Sequence, residues 1–159
     1  MKLFVPVLWV LFVLLVLPTA AGRTEETPKL TDPEQKILDQ TNKERAAKDL
    51  PPLMLNPTLT KVARAHSANM AKQGKMDHVL DGKKPGDRLL DAGYDYADFG
   101  ENIASGQNWS VDAVMKGWME SPQHRKNILS DEVNEIGVGI ASDDKGTDFY
   151  TVEFGKRRK

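Results

Sequence analysis

Three histidines, His66, His78 and His124, are the only imidazoles in the sequence, and a glycine-flanked carboxylate, Glu101, lies between the last two. The ordinary pKa of histidine lies near neutral pH, so imidazoles close to a carboxylate can move protons or bind a divalent metal ion. No pair of histidines has the spacing of a helical metal motif. Spacing alone therefore favours a structural role for each histidine and local hydrogen bonding for Glu101.

The first two histidines belong to a predicted helix and the loop after it. Asn56-Pro57 combines a helix cap with a first-turn proline, and Gly74 provides the stop, so a helix is predicted between them. His66 lies on the apolar face of this helix, which indicates a position at the edge of the core. His78 follows in a turn-rich loop.

The remaining candidate residues lie on later elements. A short helix is predicted to begin at Ser121-Pro122 and to carry His124, and Glu101 is predicted at the mouth of a strand. Apolar alternation over 136–140 and over 149–154 predicts two further strands. Because the helices come first and the strands last, the sequence favours an α+β fold.

The N-terminal segment has the pattern of a secretory signal peptide. Lys2 precedes an apolar run from Leu3 to Leu17, and the small residues of Pro18–Gly22 provide a cleavage site. The run is shorter than the roughly 20 residues that span a bilayer as a helix. We therefore expect a secreted or periplasmic protein with no stable membrane span after cleavage; an uncleaved anchor is the alternative.

Composition limits the kind of protein further. The 159 residues suit one domain, and 22 basic against 23 acidic side chains leave no basic excess for nucleic acid. There is no cysteine, which excludes disulfides and thiolate metal sites. The predicted division is a signal peptide over 1–21, a flexible lead-in over 22–32, a domain over 33–155 and a basic tail over 156–159.

A set of ordered motifs covers about residues 36 to 155. The motifs are Asn42-x-x-Arg45, Leu50-Pro51-Pro52-Leu53, Ala65-His66-Ser67-x-x-Met70-Ala71, Asp81-Gly82-x-x-Pro85-x-Asp87-Arg88, Gly100-Glu101-Asn102-Ile103-Ala104, Trp118-Met119-x-Ser121-Pro122-x-His124-Arg125-x-Asn127-Ile128-Leu129 and Glu135-Ile136-Gly137-Val138-Gly139. Together they resemble the CAP superfamily of cysteine-rich secretory, antigen 5 and pathogenesis-related proteins, whose domain is also called SCP. The likeness is strongest to its bacterial, cysteine-free branch.

The resemblance implies an α-β-α sandwich with a small, mostly antiparallel central sheet. It also implies an open cleft lined by two histidines and two glutamates, which in some members holds zinc or another divalent cation. His78, Glu101 and His124 take three of these positions, and His66 takes none. Ser121 stands at the fourth position in place of a glutamate, which should weaken the binding of a hard divalent ion.

Three functions follow as hypotheses. The first is a non-enzymatic extracellular module whose cleft, formed by His78, Glu101, His124 and Ser121, binds a small ligand, a lipid or a cell-envelope component. It requires no cofactor, and a divalent cation such as zinc on His78 and His124 is a candidate ligand. The second is a protease-like hydrolase with Ser121 as nucleophile, His124 as base and Glu101 as the orienting group. The third is an envelope scaffold with a vestigial cleft.

Overall fold

The computed structural model describes residues 28–159, so the predicted signal peptide lies outside the described residues. This part of the chain forms five helices and four strands: α1 Asp32–Ala46, β1 Met54–Leu55, α2 Pro57–Gln73, α3 Pro85–Asp91, β2 Tyr96–Gln107, α4 Val111–Glu120, α5 Pro122–Ile128, β3 Glu135–Ser142 and β4 Thr147–Arg157. Within these residues, no helix is both long enough and apolar enough to cross a bilayer.

The strands form one sheet between two helical layers. Their order is β1-β3-β4-β2, with β1 parallel to β3 and the other pairs antiparallel. On one face, Val138 and Val152 pack in a core with Ile37 of α1 and Val114 of α4. The other face is covered by α2, which contacts β3 and β4, and by α3. The predicted α-β-α sandwich is confirmed.

Helix α2 lies unusually close to the sheet because two residues of β3 have no side chain. A Cβ atom at Gly137 or Gly139 would approach the α2 backbone to less than 3.0 Å, a separation that real Cβ atoms essentially never show. Ser67 of α2 fastens the contact by donating to the Gly139 carbonyl at 2.9 Å and contacting Thr151 Oγ1 at 2.8 Å. The close approach brings α2 side chains against those of the sheet.

Strand β2 is the main departure from the predicted elements. It runs for 12 residues along one edge of the sheet, so Glu101 lies in the middle of a strand and not at its mouth. The carbonyls of Glu101 and Ile103 accept hydrogen bonds from Asn127 and Trp118, each at 3.1 Å. These side chains satisfy part of an edge that would otherwise offer unpaired backbone groups.

The predicted C-terminal boundary also needs correction. Strand β4 extends to Arg157, which pairs with Tyr96 of β2, so the first half of the predicted tail 156–159 belongs to the sheet. The Arg157 guanidinium lies 4.6 Å from the centre of the Tyr94 ring. At the other end α1 begins at Asp32, one residue before the predicted domain.

Candidate functional site

Glu101 is the centre of a cluster of charged side chains on the face of the sheet that α2 and α3 cover. Its side chain is only 2 % exposed, and it lies directly opposite Glu153 in the β2–β4 register. Two carboxyl groups at facing positions repel each other when both are ionised. Their neighbours therefore decide how the pair is protonated.

His78, in the loop between α2 and α3, makes the closest contact with one oxygen of Glu101. Its Nδ1 atom lies 2.6 Å from Oε1, while 47 % of the His78 side chain remains exposed. The hydrogen bond to the carboxylate raises the pKa of His78 against the opposing effect of burial. Because Nδ1 is engaged, Nε2 is the nitrogen that His78 can offer to a ligand.

Arg88 of α3 binds the other oxygen of Glu101. Its Nη2 donates to Oε2 and lies 3.9 Å from Oε1 of Glu153, while Nη1 donates to the carbonyls of His78 and Lys83. Burial alone would raise the pKa of Glu101, but the His78 hydrogen bond and the Arg88 charge outweigh it and hold that pKa below its usual value. Glu101 is therefore ionised.

Glu153 is the protonated member of the pair. It is fully buried, and burial together with the negative charge of Glu101 raises the pKa of Glu153 well above its ordinary value. When protonated, Glu153 can donate to the Glu101 carboxylate, and this hydrogen bond adds to the rise in the pKa of Glu153 and to the lowering of the pKa of Glu101. A protonated acid in this place avoids a second buried charge that Arg88 alone would have to balance.

Replacing Glu153 with glutamine is expected to stabilise the domain at alkaline pH. The unfolded chain loses the Glu153 proton above its ordinary pKa of 4.5 while the folded chain keeps it, so the wild type loses stability as pH rises beyond that value. Glutamine has no such proton. Urea unfolding should show Glu153→Gln to be more stable than wild type at pH 8, with the difference shrinking towards pH 4.

The matched control is Glu132→Gln, because Glu132 is exposed. It should leave the pH profile of stability unchanged. A Glu153→Gln advantage that is equal at pH 4 and pH 8 would show that Glu153 is not protonated in the folded state.

His66 joins the cluster from α2, which its sequence position did not indicate. Its side chain is fully buried, Nε2 lies 3.1 Å from the Asp77 carbonyl, and the same atom lies 3.8 Å from Oε2 of Glu101. Burial lowers the pKa of His66 despite the nearby carboxylate. The prediction of a role at the core edge therefore understates its position, because His66 packs against the charged centre.

His124 and Ser121 lie at the start of α5, in the other helical layer. Both line a cavity of about 380 Å³ together with Met76, Ile103, Ala104, Ser105, Trp109, Ala113, Val114, Gly117 and Trp118. Burial and the charge of His78 lower the pKa of His124. Within residues 28–159 no hydrogen bond joins His124 to Glu101, and the backbone carbonyl of His124 accepts from Asn102.

The predicted triad of Ser121, His124 and Glu101 therefore lacks its carboxylate contact. The two Glu101 oxygens are hydrogen-bonded to His78 and Arg88, and the Ser121 hydroxyl makes no capping hydrogen bond to α5. Ser121 and His124 share a cavity wall, but the group that would orient the imidazole is engaged elsewhere.

The donor set also limits the predicted zinc site. Catalytic zinc ordinarily has about three protein ligands and structural zinc about four. Among residues 28–159, no group of three or more histidine, aspartate or glutamate side chains is arranged to hold one metal ion. His78 and His124 would supply two nitrogens, and Glu101 is already occupied by His78 and Arg88. The described residues therefore offer two imidazole nitrogens but no grouped set of three ligands.

The sequence pattern of the cysteine-rich secretory protein family, CAP, matches residues 38–154. The chain therefore belongs to this family, as the motifs predicted.

Two relatives from Bacillus subtilis strain 168 share extended similarity with the chain. Its alignment with YkwD is 39% identical over 127 residues and covers 77% of this chain and 49% of YkwD. Its alignment with the membrane protein YlbC is 36% identical over 148 residues and covers 90% of this chain and 40% of YlbC. The chain thus spans about half the length of YkwD and less of YlbC.

Solved structures show the same fold. An outer surface protein from Borrelia burgdorferi superposes with a TM-score of 0.75 at 26% identity, covering 82% of this chain and 97% of that one. An extracellular SCP-domain protein from Bacillus anthracis superposes with a TM-score of 0.71 at 31% identity, covering 82% of this chain and 45% of that one. The sandwich described above is thus the CAP fold.

Proposed function

We propose that this chain is an extracellular binding module that holds a small, largely apolar ligand in the cavity beside His124, and that it is not an enzyme. The single observation that carries the proposal is the cavity of about 380 Å³ between β2 and α4, which has apolar walls and a polar end. Its size falls within the range of roughly 300–1,000 Å³ that is usual for small-molecule sites.

The cavity walls suit an apolar ligand with one polar group. Trp118 is buried and fixed by its hydrogen bond to the Ile103 carbonyl, so it is a rigid wall. Trp109 and Met76 each leave 49% of their surface exposed beside the cavity. Exposed apolar side chains that adjoin a cavity are typical of binding sites. Ser121 and His124 supply polar atoms for the ligand's polar end.

The charges near the cavity favour binding over catalysis. Hydrolysis by a serine needs a nucleophile, a base and an orienting group in one hydrogen-bonded series. Here the carboxylate is paired with His78 and Arg88, and no hydrogen bond in the described part of the chain joins Ser121 to the base. The series that hydrolysis needs is therefore incomplete, while the cavity that would bind a ligand is lined without Glu101 or His78.

The extracellular location rests on two observations. The relative from Bacillus anthracis is described as an extracellular protein containing an SCP domain, and the first residues of this chain have the pattern of a secretory signal peptide. A ligand for such a module would be a lipid fragment or a small cell-envelope component, since the cavity walls are apolar.

Filling the cavity is expected to weaken the binding of an apolar probe. Gly117 lines the cavity from an exposed position on α4, and a Cβ atom there meets nothing within 4 Å. We expect Gly117→Leu to weaken binding of the neutral fluorescent probe N-phenyl-1-naphthylamine at least about tenfold, which corresponds to about 1.4 kcal/mol. Fluorescence titration of the full chain measures this.

Gly117→Ala is the matched control, because it gives the helix the same Cβ atom without filling the cavity. It should retain the affinity of the wild type. Saturable binding that Gly117→Leu leaves unchanged would place the probe elsewhere and refute the proposed cavity.

A further inference from the structure

Trp109, in the turn between β2 and α4, lies with one face of its indole ring against Gly106. A Cβ atom at Gly106 would approach Cδ2 and Cε2 of Trp109 to less than 3.0 Å, a separation that real Cβ atoms essentially never show. These two carbons are shared by both rings of the indole, so an atom that is close to both of them lies above or below the ring plane. The glycine therefore leaves room for the indole to lie flat on strand β2.

The backbone on both sides of this ring is held in place. Tyr150 is buried, and its hydroxyl donates to the Trp109 carbonyl at 3.0 Å. The next residue, Ser110, caps α4 by accepting from the Ala113 N–H at 3.2 Å. Asn108, just before Trp109, has the left-handed φ of 55° that turns the chain out of β2. The indole is thus presented by a hydrogen-bonded turn, and 49% of the Trp109 surface remains exposed.

The uncovered part of the indole borders the cavity beside His124. Since Gly106 covers one face, the ring surface that Trp109 can offer to a ligand is the opposite face. Met76 borders the same cavity, and its Sδ atom accepts from the Ser105 hydroxyl at 3.5 Å. Successive side chains of a strand point to opposite faces, so Met76 and Trp109 reach the cavity from the two sides of β2. A π face and a thioether sulfur both favour contact with aromatic rings.

The lining of this cavity favours a neutral ligand. Among the described residues that line it there is no aspartate, glutamate, lysine or arginine. Burial lowers the pKa of His124, so its imidazole is neutral at pH 7. A charged ligand at Trp109 would therefore lose its hydration without gaining an opposite charge from the cavity walls.

We propose that the cavity beside His124 selects compounds with a neutral, planar aromatic ring, which stacks on the exposed face of Trp109. This inference rests on the proposed binding function and adds the chemical class of the ligand. Aromatic stacking adds to the gain from burying apolar surface by an amount that corresponds to about a two- to twelvefold change in affinity. A saturated ring with the same carbon skeleton gains only from the burial of its surface.

The test compares 2-naphthol with trans-decahydro-2-naphthol, its fully saturated analogue. The two compounds have the same carbon skeleton and the same hydroxyl group. The saturated compound has the larger apolar surface, so the hydrophobic effect alone predicts that it binds more tightly. Isothermal titration of the full chain should instead show that 2-naphthol binds more tightly, by about threefold or more.

The proton resonance of the Trp109 indole N–H reports whether this ring is the contact. A stacked naphthol ring should shift the resonance upfield through its ring current, whereas the saturated analogue has no ring current. The resonance is assigned by its disappearance from the spectrum of Trp109→Leu.

Two variants remove the stacking surface in different ways. Trp109→Leu keeps an apolar side chain without a ring and should abolish the preference for 2-naphthol. Gly106→Ala keeps Trp109, but the added Cβ atom would overlap the indole, which must then turn away from the strand. The preference should fall in this variant as well. The control is Met54→Ala, which removes an exposed apolar side chain outside the cavity and should leave the preference unchanged.

The outcomes separate this inference from the proposed function. Tighter binding of 2-naphthol that is lost in Trp109→Leu supports the inference. Failure of 2-naphthol to bind, or binding no tighter than that of its saturated analogue, overturns it even where N-phenyl-1-naphthylamine binds in the cavity. A preference that persists in Trp109→Leu also overturns it. If neither naphthol nor N-phenyl-1-naphthylamine binds, the proposed function is wrong and the inference is wrong with it.

Discussion

Gly137→Ala is expected to destabilise the domain by about 3 kcal/mol or more, at the upper end of what overpacking usually costs. The added Cβ atom would approach the backbone of Leu59 and Thr60 to less than 3.0 Å. Backbone atoms of a packed helix cannot rotate away as a side-chain end does. Helix α2 would have to lift from the sheet, which separates His66 from Glu101. Urea unfolding monitored by circular dichroism measures the loss.

Gly117→Ala serves as the control, since it is also a glycine-to-alanine change but in open space. Glycine inside a helix is less stable than alanine by roughly 0.5–1 kcal/mol, so this variant should be slightly more stable than wild type. If Gly137→Ala instead cost less than about 1 kcal/mol, α2 would not be held at the observed distance from β3.

The helices could be predicted where the signal that forms them is local. Asn56 caps α2 by accepting from the Leu59 N–H at 3.0 Å, and Gly74 ends it in the left-handed conformation with φ of 59°. Ser110 caps α4 in the same way. Each of these signals involves residues within one turn of the helix end, so the sequence contains all of the information.

The full extent of strand β2 was not predicted, because the signal that forms it is not local. Its residues include Gly100 and Gly106 and show no clean alternation, while its stability comes from a long ladder with β4 and from side chains of other elements. Whether such a segment forms a strand depends on its pairing with a distant strand and not on its own composition. The extension of β4 to Arg157 has the same cause.

The members of the charged cluster also depend on contacts between residues that are distant in the sequence. Family resemblance singled out His78 and Glu101, which the fold brings within hydrogen-bonding distance. It gave no indication of Glu153, which faces Glu101 only because of the β2–β4 register. His66 and Arg88 reach the cluster because two glycines allow α2 to approach and because α3 packs beside it. These contacts depend on tertiary packing, so motif spacing could not reveal them.

Arg88→Met is expected to destabilise the domain by about 3–5 kcal/mol, the usual cost of removing one partner of a buried ion pair. Glu101 is 2 % exposed and Arg88 is 13 % exposed, so water cannot replace the lost charge without rearrangement. Methionine keeps much of the apolar stem, which isolates the guanidinium. The measurement is the free energy of unfolding in urea at pH 7. The control is Arg125→Met, at an exposed position on α5, which should change that free energy by less than about 0.5 kcal/mol.

The pH dependence of the Arg88→Met defect separates charge from packing. In the wild type the pKa of Glu101 is held low, so its contribution to stability is present at neutral pH and is lost as pH falls. Without Arg88, Glu101 is buried beside Glu153 with less compensation, and it takes up a proton at higher pH than before. The deficit of the variant should therefore be largest near pH 8 and should shrink towards pH 4.

The double variant Arg88→Met with Glu101→Gln should recover part of the loss at pH 8, because it removes the buried charge that has lost its partner. A deficit that is constant across this range, with no recovery in the double variant, would mean that Arg88 stabilises the fold through its hydrogen bonds to the His78 and Lys83 carbonyls and not through Glu101.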